Sequence, residues 1–364
     1  MVLLLLFCEN KRLFDTLELC YALSSKNQLT FLRSINACVL SWYDIFLSQG
    51  TDRVVKTART EIICETPTGT LFGTLDEPLT SSSDTLQKPL VLIIAGSGPT
   101  DRDGNNPIGG KNNSLKMLAD GLTMRGIAVA RYDKRGIAKS ASAMQKEDDL
   151  RFETYINDAV DIVRQVTNNG FNARNRYSSV TIIGHSEGSL IGMLAAQKVG
   201  AQGFISLAGA GFPAAQIIRK QLGKQLPLNL VADSEKILKE LEAGKTASTQ
   251  APPALYAIFR PSVQPYLVSW FRYDPREEVK RLRCPVLILQ GSRDIQVSVD
   301  DANALHTAKP EAQFLIIDGM NHVLKAVSAD MTEQMASYSN PTLPVVPQLI
   351  DTIAAFIQGL PKQK

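Results

Sequence analysis

Histidine occurs only three times in the 364 residues, as His185, His306 and His322, so chemistry that needs an imidazole has three candidates. Cysteine is sparse as well: Cys8, Cys20, Cys38, Cys64 and Cys284 form an odd set without C-x-x-C spacing, and four of them lie in the first 64 residues. Neither a zinc site nor a disulfide framework follows from that pattern. The formal net charge is only +3, and Lys and Arg are scattered among acidic residues instead of forming a stripe or tail. Nucleic acid is therefore not an expected partner. Long apolar runs are also missing. Val2 to Phe7 is too short to span a bilayer and lacks the basic flank of a signal peptide, and Ile35 to Leu47 is interrupted by Asp44. A lipoprotein signal needs small residues before a cysteine and an apolar run upstream, and neither Cys8, after Phe7, nor Cys38, after Asn36-Ala37, satisfies both. No stable membrane insertion is expected. Localisation stays open with a slight lean to the cytoplasm, and the oligomeric state is not legible.

What remains is an ordinary globular composition, 44% apolar and 21% charged, in a chain long enough for one large domain with insertions or two modest ones. Residues 1 to about 57 show weak helical periodicity and no recognisable chemistry. Three readings stay open for this arm: an extra helical segment, a poorly matched targeting region, or residues upstream of the true start. From Glu61 the texture changes. Glu61 to Glu65 and Leu71 to Leu75 are strand-like and joined by Thr66-Pro67-Thr68-Gly69, a link suited to a hairpin. A polar linker, Thr80 to Thr85, follows.

Strands and helices then alternate. Leu90 to Ala95 is a continuous apolar run, as expected of a strand covered on both faces. The pattern predicts a helix over Ser114 to Arg125, a strand over Ile127 to Tyr132 and an amphipathic helix over Glu153 to Val166. It continues with a strand at Ser179 to Ile183, a helix at Ser189 to Val199 and a strand at Phe204 to Leu207. Strands at Val286 to Gln290 and Phe314 to Ile317 and a closing helix at Val346 to Ile357 complete it. Such alternation means a mostly parallel sheet with helices on both faces. Between Gly211 and Arg283 it gives way to helical segments at Ala214 to Leu222, Ser234 to Leu241, Pro253 to Phe259 and Val263 to Phe271. This insertion after the sixth strand is expected to roof the carboxyl edge of the sheet, where open α/β sheets bind ligands; a plain packing subdomain is the alternative. The expected division is an arm at 1–57, a core at 58–210 and 284–364, and a helical lid at 211–283.

Gly184-His185-Ser186-Glu187-Gly188 follows a predicted strand and opens a predicted helix. The string G-x-S-x-G alone is modest evidence; in this context it describes a strand-to-helix turn so sharp that positions two before and two after the serine must lack bulk. A serine hydroxyl is a poor nucleophile near neutral pH and needs a base, which in turn needs a group to hold its tautomer. His185 adjoins the serine and should point away into packing beside the sheet. His306 falls inside a predicted helix, Asp301 to Ala308, and reads as a surface residue. His322, on a loop five residues after the last strand, is left as the base. The orienting acid should come from a strand end between serine and histidine. Asp294, after the strand Val286 to Gln290, fits, while its rivals Asp300 and Asp301 read as helix caps. Acyl transfer also needs N–H donors aimed at a developing oxyanion. The Glu187 amide is one candidate, and the Ser97 amide in Gly96-Ser97-Gly98-Pro99 is the other, against the alternative of an ordinary glycine turn.

With those residues in view, the sequence resembles bacterial α/β-hydrolase esterases, particularly those with a G-S-G-P-T-D-R-D-G stretch after the third strand, present here from Gly96 to Gly104. Asp133-Lys134-Arg135-Gly136 is similar to that family's D-x-R-G turn, and Tyr273-Asp274-Pro275, Cys284-Pro285-Val286-Leu287 and Asn321-His322 extend the likeness over about Glu61 to Gln358. The resemblance implies the α/β-hydrolase fold and a carboxylesterase acting on acyl esters, with Ser186, Asp294 and His322 as triad and no metal or organic cofactor. The alternatives are a peptidase, thioesterase or acyltransferase on the same scaffold, or a non-catalytic ligand-binding relative. One departure is Ala138, where the family turn R-G-x-G-x-S usually has its second glycine. Asp101-Arg102-Asp103-Gly104-Asn105 suggests a calcium loop, but Asn106 and Asn112 occupy the positions where such a loop needs glycine and glutamate. Bracing of the oxyanion loop by Asp101 and Arg102, or simple solvation of these charges, are the readings left.

Overall fold

The computed structural model describes residues 56–79, 87–168 and 177–361. The N-terminal arm, apart from its last two residues, and the polar linker lie outside the described residues. Eight strands among the described residues form one sheet in the order β1-β2-β4-β3-β5-β6-β7-β8. β1 (Thr57–Thr66) and β2 (Gly69–Pro78) make the anticipated hairpin, longer than its apolar signal, with Thr66 opposite Gly69 across Pro67 and Thr68. β2 runs antiparallel to β4 (Ala128–Tyr132), and every later pairing is parallel: β4 with β3 (Lys88–Ile94), β3 with β5 (Tyr177–His185), then β6 (Gly203–Leu207), β7 (Val286–Gly291) and β8 (Gln313–Ile317).

The pleat of β3 shows why its run is apolar without alternation. Leu90, Leu92 and Ile94 enter one core while Val91 and Ile93 enter the other, because successive side chains leave a strand on opposite faces. The second core is closed by α1 (Ser114–Thr123), through Leu115, Leu118 and Leu122, and by the C-terminal helix through Leu349, Ile353 and Phe356. The first is closed by α2 (Phe152–Asn168) and α3 (Glu187–Val199), with Ile156, Val160, Val163 and Ile191 facing inward. Each such fully buried aliphatic side chain is worth about 1.5–3 kcal/mol.

Residues between β6 and β7 form α4 (Ala214–Gln225), α5 (Leu228–Glu242), the short α6 (Tyr256–Phe259), α7 (Gln264–Trp270) and α8 (Pro275–Arg281). Arg219 on α4 ties α5 through Glu235 at 2.6 Å and Glu242 at 2.8 Å. The segment is also fixed to the sheet side of the molecule. Trp270 stacks on Phe152 with ring centroids 5.8 Å apart, and Ser269 Oγ accepts the Phe152 amide at 2.8 Å. The sequence reading did not anticipate α8, although Asp274 caps it by accepting the Arg276 amide at 3.0 Å and Pro275 opens it. After β7 come α9 (Val299–Ala308), α10 (Met331–Ser337) and α11 (Pro347–Gln358), the C-terminal helix. No helix among the described residues is long and apolar enough to cross a membrane.

The turn after β4 is held by Arg135. Its guanidinium donates to both Asp158 oxygens, at 2.6 and 3.1 Å, to the Ala143 carbonyl at 2.7 Å and to Thr66 Oγ1 in the hairpin at 3.1 Å. Arg135 and Asp158 are both buried. Ala138, in place of the expected glycine, takes a left-handed conformation with φ 44°, which costs a non-glycine residue roughly 1–2 kcal/mol. Removing one member of a buried pair strands the other charge. Asp158→Ala is therefore expected to lower unfolding stability by about 3–5 kcal/mol, measured as a shift in the urea midpoint at constant slope.

Candidate active site

Ser186 sits between the last residue of β5 and the first of α3 with φ 56° and ψ −123°. A non-glycine residue held at positive φ here costs of order 1–3 kcal/mol, and the surroundings show what holds it. A side chain at Gly184 would overlap the Gly188 carbonyl, and one at Gly188 would come within 2.7 Å of the Ala95 carbonyl. The two glycines thus let strand, turn and helix close on one another, and they bring the end of β3 against the serine. The Ser186 amide is held by the Leu207 carbonyl at 3.0 Å.

His322 and Asp294 come from loops after β8 and β7. His322 Nδ1–H donates to Asp294 Oδ2 at 2.7 Å, and the Asp294 side chain is completely buried. Burial alone would raise that carboxyl. The positive charge and hydrogen bond of His322, with the Val297 and Gln296 amides, outweigh it and hold the group below its ordinary range. The His322 loop is pinned next door: buried Asn321 donates to Ser337 Oγ at 2.7 Å and accepts the Lys325 amide at 3.0 Å. Of the rival acids, Asp301 closes a capping box with Ser298 and also accepts the Gly211 amide at 3.0 Å.

Ser186 and His322 line one cavity of about 410 Å³ together with Ser97, Glu187, Tyr155 and Tyr266. The Glu187 amide is the first N–H of α3, one of the four that a helix leaves without an internal acceptor. At Gly96 a side chain would meet Ser186 Cβ at 3.1 Å, so the loop carrying Ser97 lies directly against the serine. That loop is braced rather than solvated. Arg102 donates to Asp133 from its amide at 2.9 Å and its guanidinium at 2.6 Å, and Asp101 accepts the Asp103 and Asn105 amides at 2.9 Å each.

Two expectations need correction. His185 does not simply pack beside the sheet: its Nε2–H donates to the His322 carbonyl at 2.9 Å, its ring lies 4.8 Å from that of His322, and it lines the cavity. His306 is half-buried and stacks on Phe314 at 4.8 Å, so it is not a plain surface residue. Of the insertion residues Phe212, Leu255, Phe259, Tyr266 and Trp270, whose spacing suits pocket lining or plain core alike, only Tyr266 reaches this cavity. Phe212 faces a separate hollow, Leu255 and Phe259 are wholly buried in the core, and Trp270 is spent on Phe152. Aromatic residues at helical spacing mark an apolar face without telling which apolar surface it meets. Lys134, singled out only as a motif letter, emerges as part of the site: its buried ammonium lies 3.6 Å from Glu187 Oε2 and donates to the Gly96 carbonyl. A lysine two residues beyond the end of a buried strand was the available signal.

The chain has the α/β-hydrolase fold. Solved structures that it resembles include Est1E from Butyrivibrio proteoclasticus (18% identity, TM-score 0.50, 82% of this chain and 98% of that one) and a fungal esterase from Rhizomucor miehei (13%, TM-score 0.51, 85% and 84%). The family described as serine aminopeptidase, S33, matches residues 109–251, which include Ser186 but neither Asp294 nor His322. In sequence the chain is similar to the esterase EstD of Thermotoga maritima, at 28% identity over 243 residues covering 65% of this chain. It spans about half the length of that relative, 54%.

Burial, followed by the neighbouring His322, pushes the His185 imidazole down to about 3. An unfolded histidine titrates near 6.5, so below that pH the unfolded state binds a proton that the folded state refuses, and stability falls as pH falls. The expected loss from this residue is about 2 kcal/mol between pH 8 and pH 5. Denaturant titrations across that range should show it, and His185→Asn should flatten the slope.

Proposed function

We propose that this chain is a serine hydrolase that cleaves carboxylic esters through an acyl-enzyme, with residues 58–210 and 284–364 as the catalytic core and 211–283 as its lid. Ser186 attacks the ester carbonyl while His322 Nε2 takes its proton and returns it to the leaving alcohol. Water, activated by the same imidazole, then releases the acid and restores the serine. Asp294 holds the tautomer that leaves Nε2 free to accept and stabilises the imidazolium that forms. The amides of Ser97 and Glu187 receive the oxygen of the tetrahedral intermediate. The observation that carries this reading is the 2.7 Å bond to a buried Asp294 made by His322, which lines the same cavity as the positive-φ Ser186.

The aminopeptidase description of the matching family favours a second reading, cleavage of amides that bear a free amino group. Such a substrate needs an unpaired carboxylate to receive its ammonium. The carboxylates that line the cavity are Glu147 and Glu187. Glu147 is taken by Arg260 and by Ser262 at 2.5 Å, and Glu187 by Lys134 and by the Tyr266 hydroxyl at 2.5 Å. A largely neutral ester suits this lining better.

Ser186→Ala should leave a folded protein whose turnover of p-nitrophenyl esters is reduced about 10³-fold or more, with labelling by a fluorophosphonate probe abolished. Ester turnover surviving in that variant would falsify the assignment. Aminoacyl amides and acyl-CoA thioesters assayed beside esters of increasing length separate the peptidase and thioesterase alternatives.

A further inference from the structure

Lys134 is 1% exposed, so its ammonium is shut off from bulk solvent. It is placed among three groups: the Gly96 carbonyl, to which it donates, Glu187 Oε2 at 3.6 Å, and the face of Tyr155, whose centroid is 5.3 Å away. Two of these belong to the residues around the proposed oxyanion donors. Gly96 C=O and Ser97 N–H are the two ends of a single peptide plane, and in a trans peptide they point in opposite directions. A cation that grips the carbonyl therefore fixes the plane of that peptide, and with it the direction of the Ser97 amide, in a loop that lines the same cavity as Lys134. Donation to the carbonyl also polarises the peptide and makes its N–H a stronger donor. The other donor is steadied from the same point, because Glu187, which contributes the second amide, has its carboxylate clamped between Lys134 and the Tyr266 hydroxyl at 2.5 Å.

We infer that Lys134 is a positioning residue for ester hydrolysis, which aims the Ser97 and Glu187 amides at the developing oxyanion by holding the Gly96 carbonyl and the Glu187 carboxylate. The inference rests on the proposed acyl-transfer reading. It adds a group that acts through the two donors. Its signature follows from chemistry: an oxyanion exists in the transition state and hardly in the bound ester, so misaiming the donors should reduce kcat and leave KM nearly alone. A residue that merely filled space would not produce that split.

The test uses the full-length protein and two variants. Lys134→Met/Glu187→Gln removes both charges together and so leaves neither buried and unpaired. Lys134→Gln keeps a polar side chain that is one atom too short to reach Gly96. In whichever variant shows native circular dichroism and cooperative unfolding, kcat for p-nitrophenyl acetate should fall about 10- to 100-fold, with KM within about threefold of the parent. Affinity for a trifluoromethyl ketone, whose hemiketal oxygen seeks the same donors, should fall by a similar factor. A folded variant with unchanged kcat, a loss confined to KM, or failure of both variants to fold would each overturn the inference. Ser186→Ala is assayed in parallel. If it is inactive while a folded Lys134 variant keeps full kcat, this inference alone fails; if it stays active, the acyl-transfer reading fails with it.

Discussion

The geometry of the site depends on how abruptly the backbone turns between β5 and α3. The whole change of direction is made at Ser186, with φ 56°, and the glycines on either side let it occur without collision. Three consequences come from the one turn. The serine is carried on a peak and not within a surface; the helix begins immediately, so its first amide is close by; and β3 approaches so closely that its following loop touches the serine. The strain, of order 1–3 kcal/mol, is small against the burial of α3, whose Leu190, Ile191 and Met193 are almost completely covered.

A second organising point is the exit of β4. Asp133, Lys134 and Arg135 are consecutive, charged and all buried. Together they reach four elements: Asp133 receives Arg102 from the loop after β3, Lys134 meets Gly96 in that same loop and Glu187 on α3, and Arg135 meets Asp158 on α2 and Thr66 in the hairpin. Three adjacent side chains can diverge this way because the chain has just left the sheet and no longer alternates between two faces. Buried charges that are paired individually add little net stability. What they provide is a defined place for the loop, the helix and the hairpin around one point.

The fold was readable because its signals are local and repeated. Apolar runs gave the strands, amphipathic runs the helices, and a break in their alternation gave the insertion. The helices α8 and α10 were missed even though Asp274-Pro275 and Asp330 with Glu333 are capping patterns, since short helices leave too little periodicity to notice. At the site, scarcity helped: with three histidines, elimination led to the one whose imidazole meets Asp294. The partnership of His185 with His322 could not be reached that way, for it is made across 137 positions by a backbone carbonyl, which no residue type announces. The pocket lining was illegible for the same reason. Hydrophobic spacing marks which face of a helix is apolar but not whether a core or a cavity receives it, and Phe259 and Tyr266 went opposite ways.

The pleat of β3 constrains how such a chain can diverge. Because its odd and even residues serve two separate cores, adding or deleting one residue would exchange both sets at once and would displace the following loop by a strand step of about 3.3 Å. Strand lengths at the centre of the sheet are thus quantised in pairs. The stretch between β6 and β7 leaves and rejoins the sheet at adjacent, parallel strands, so it can grow or shrink by any number without altering a register. Size variation among molecules built on this plan should accumulate there, and with it whatever distinguishes the ligands they admit.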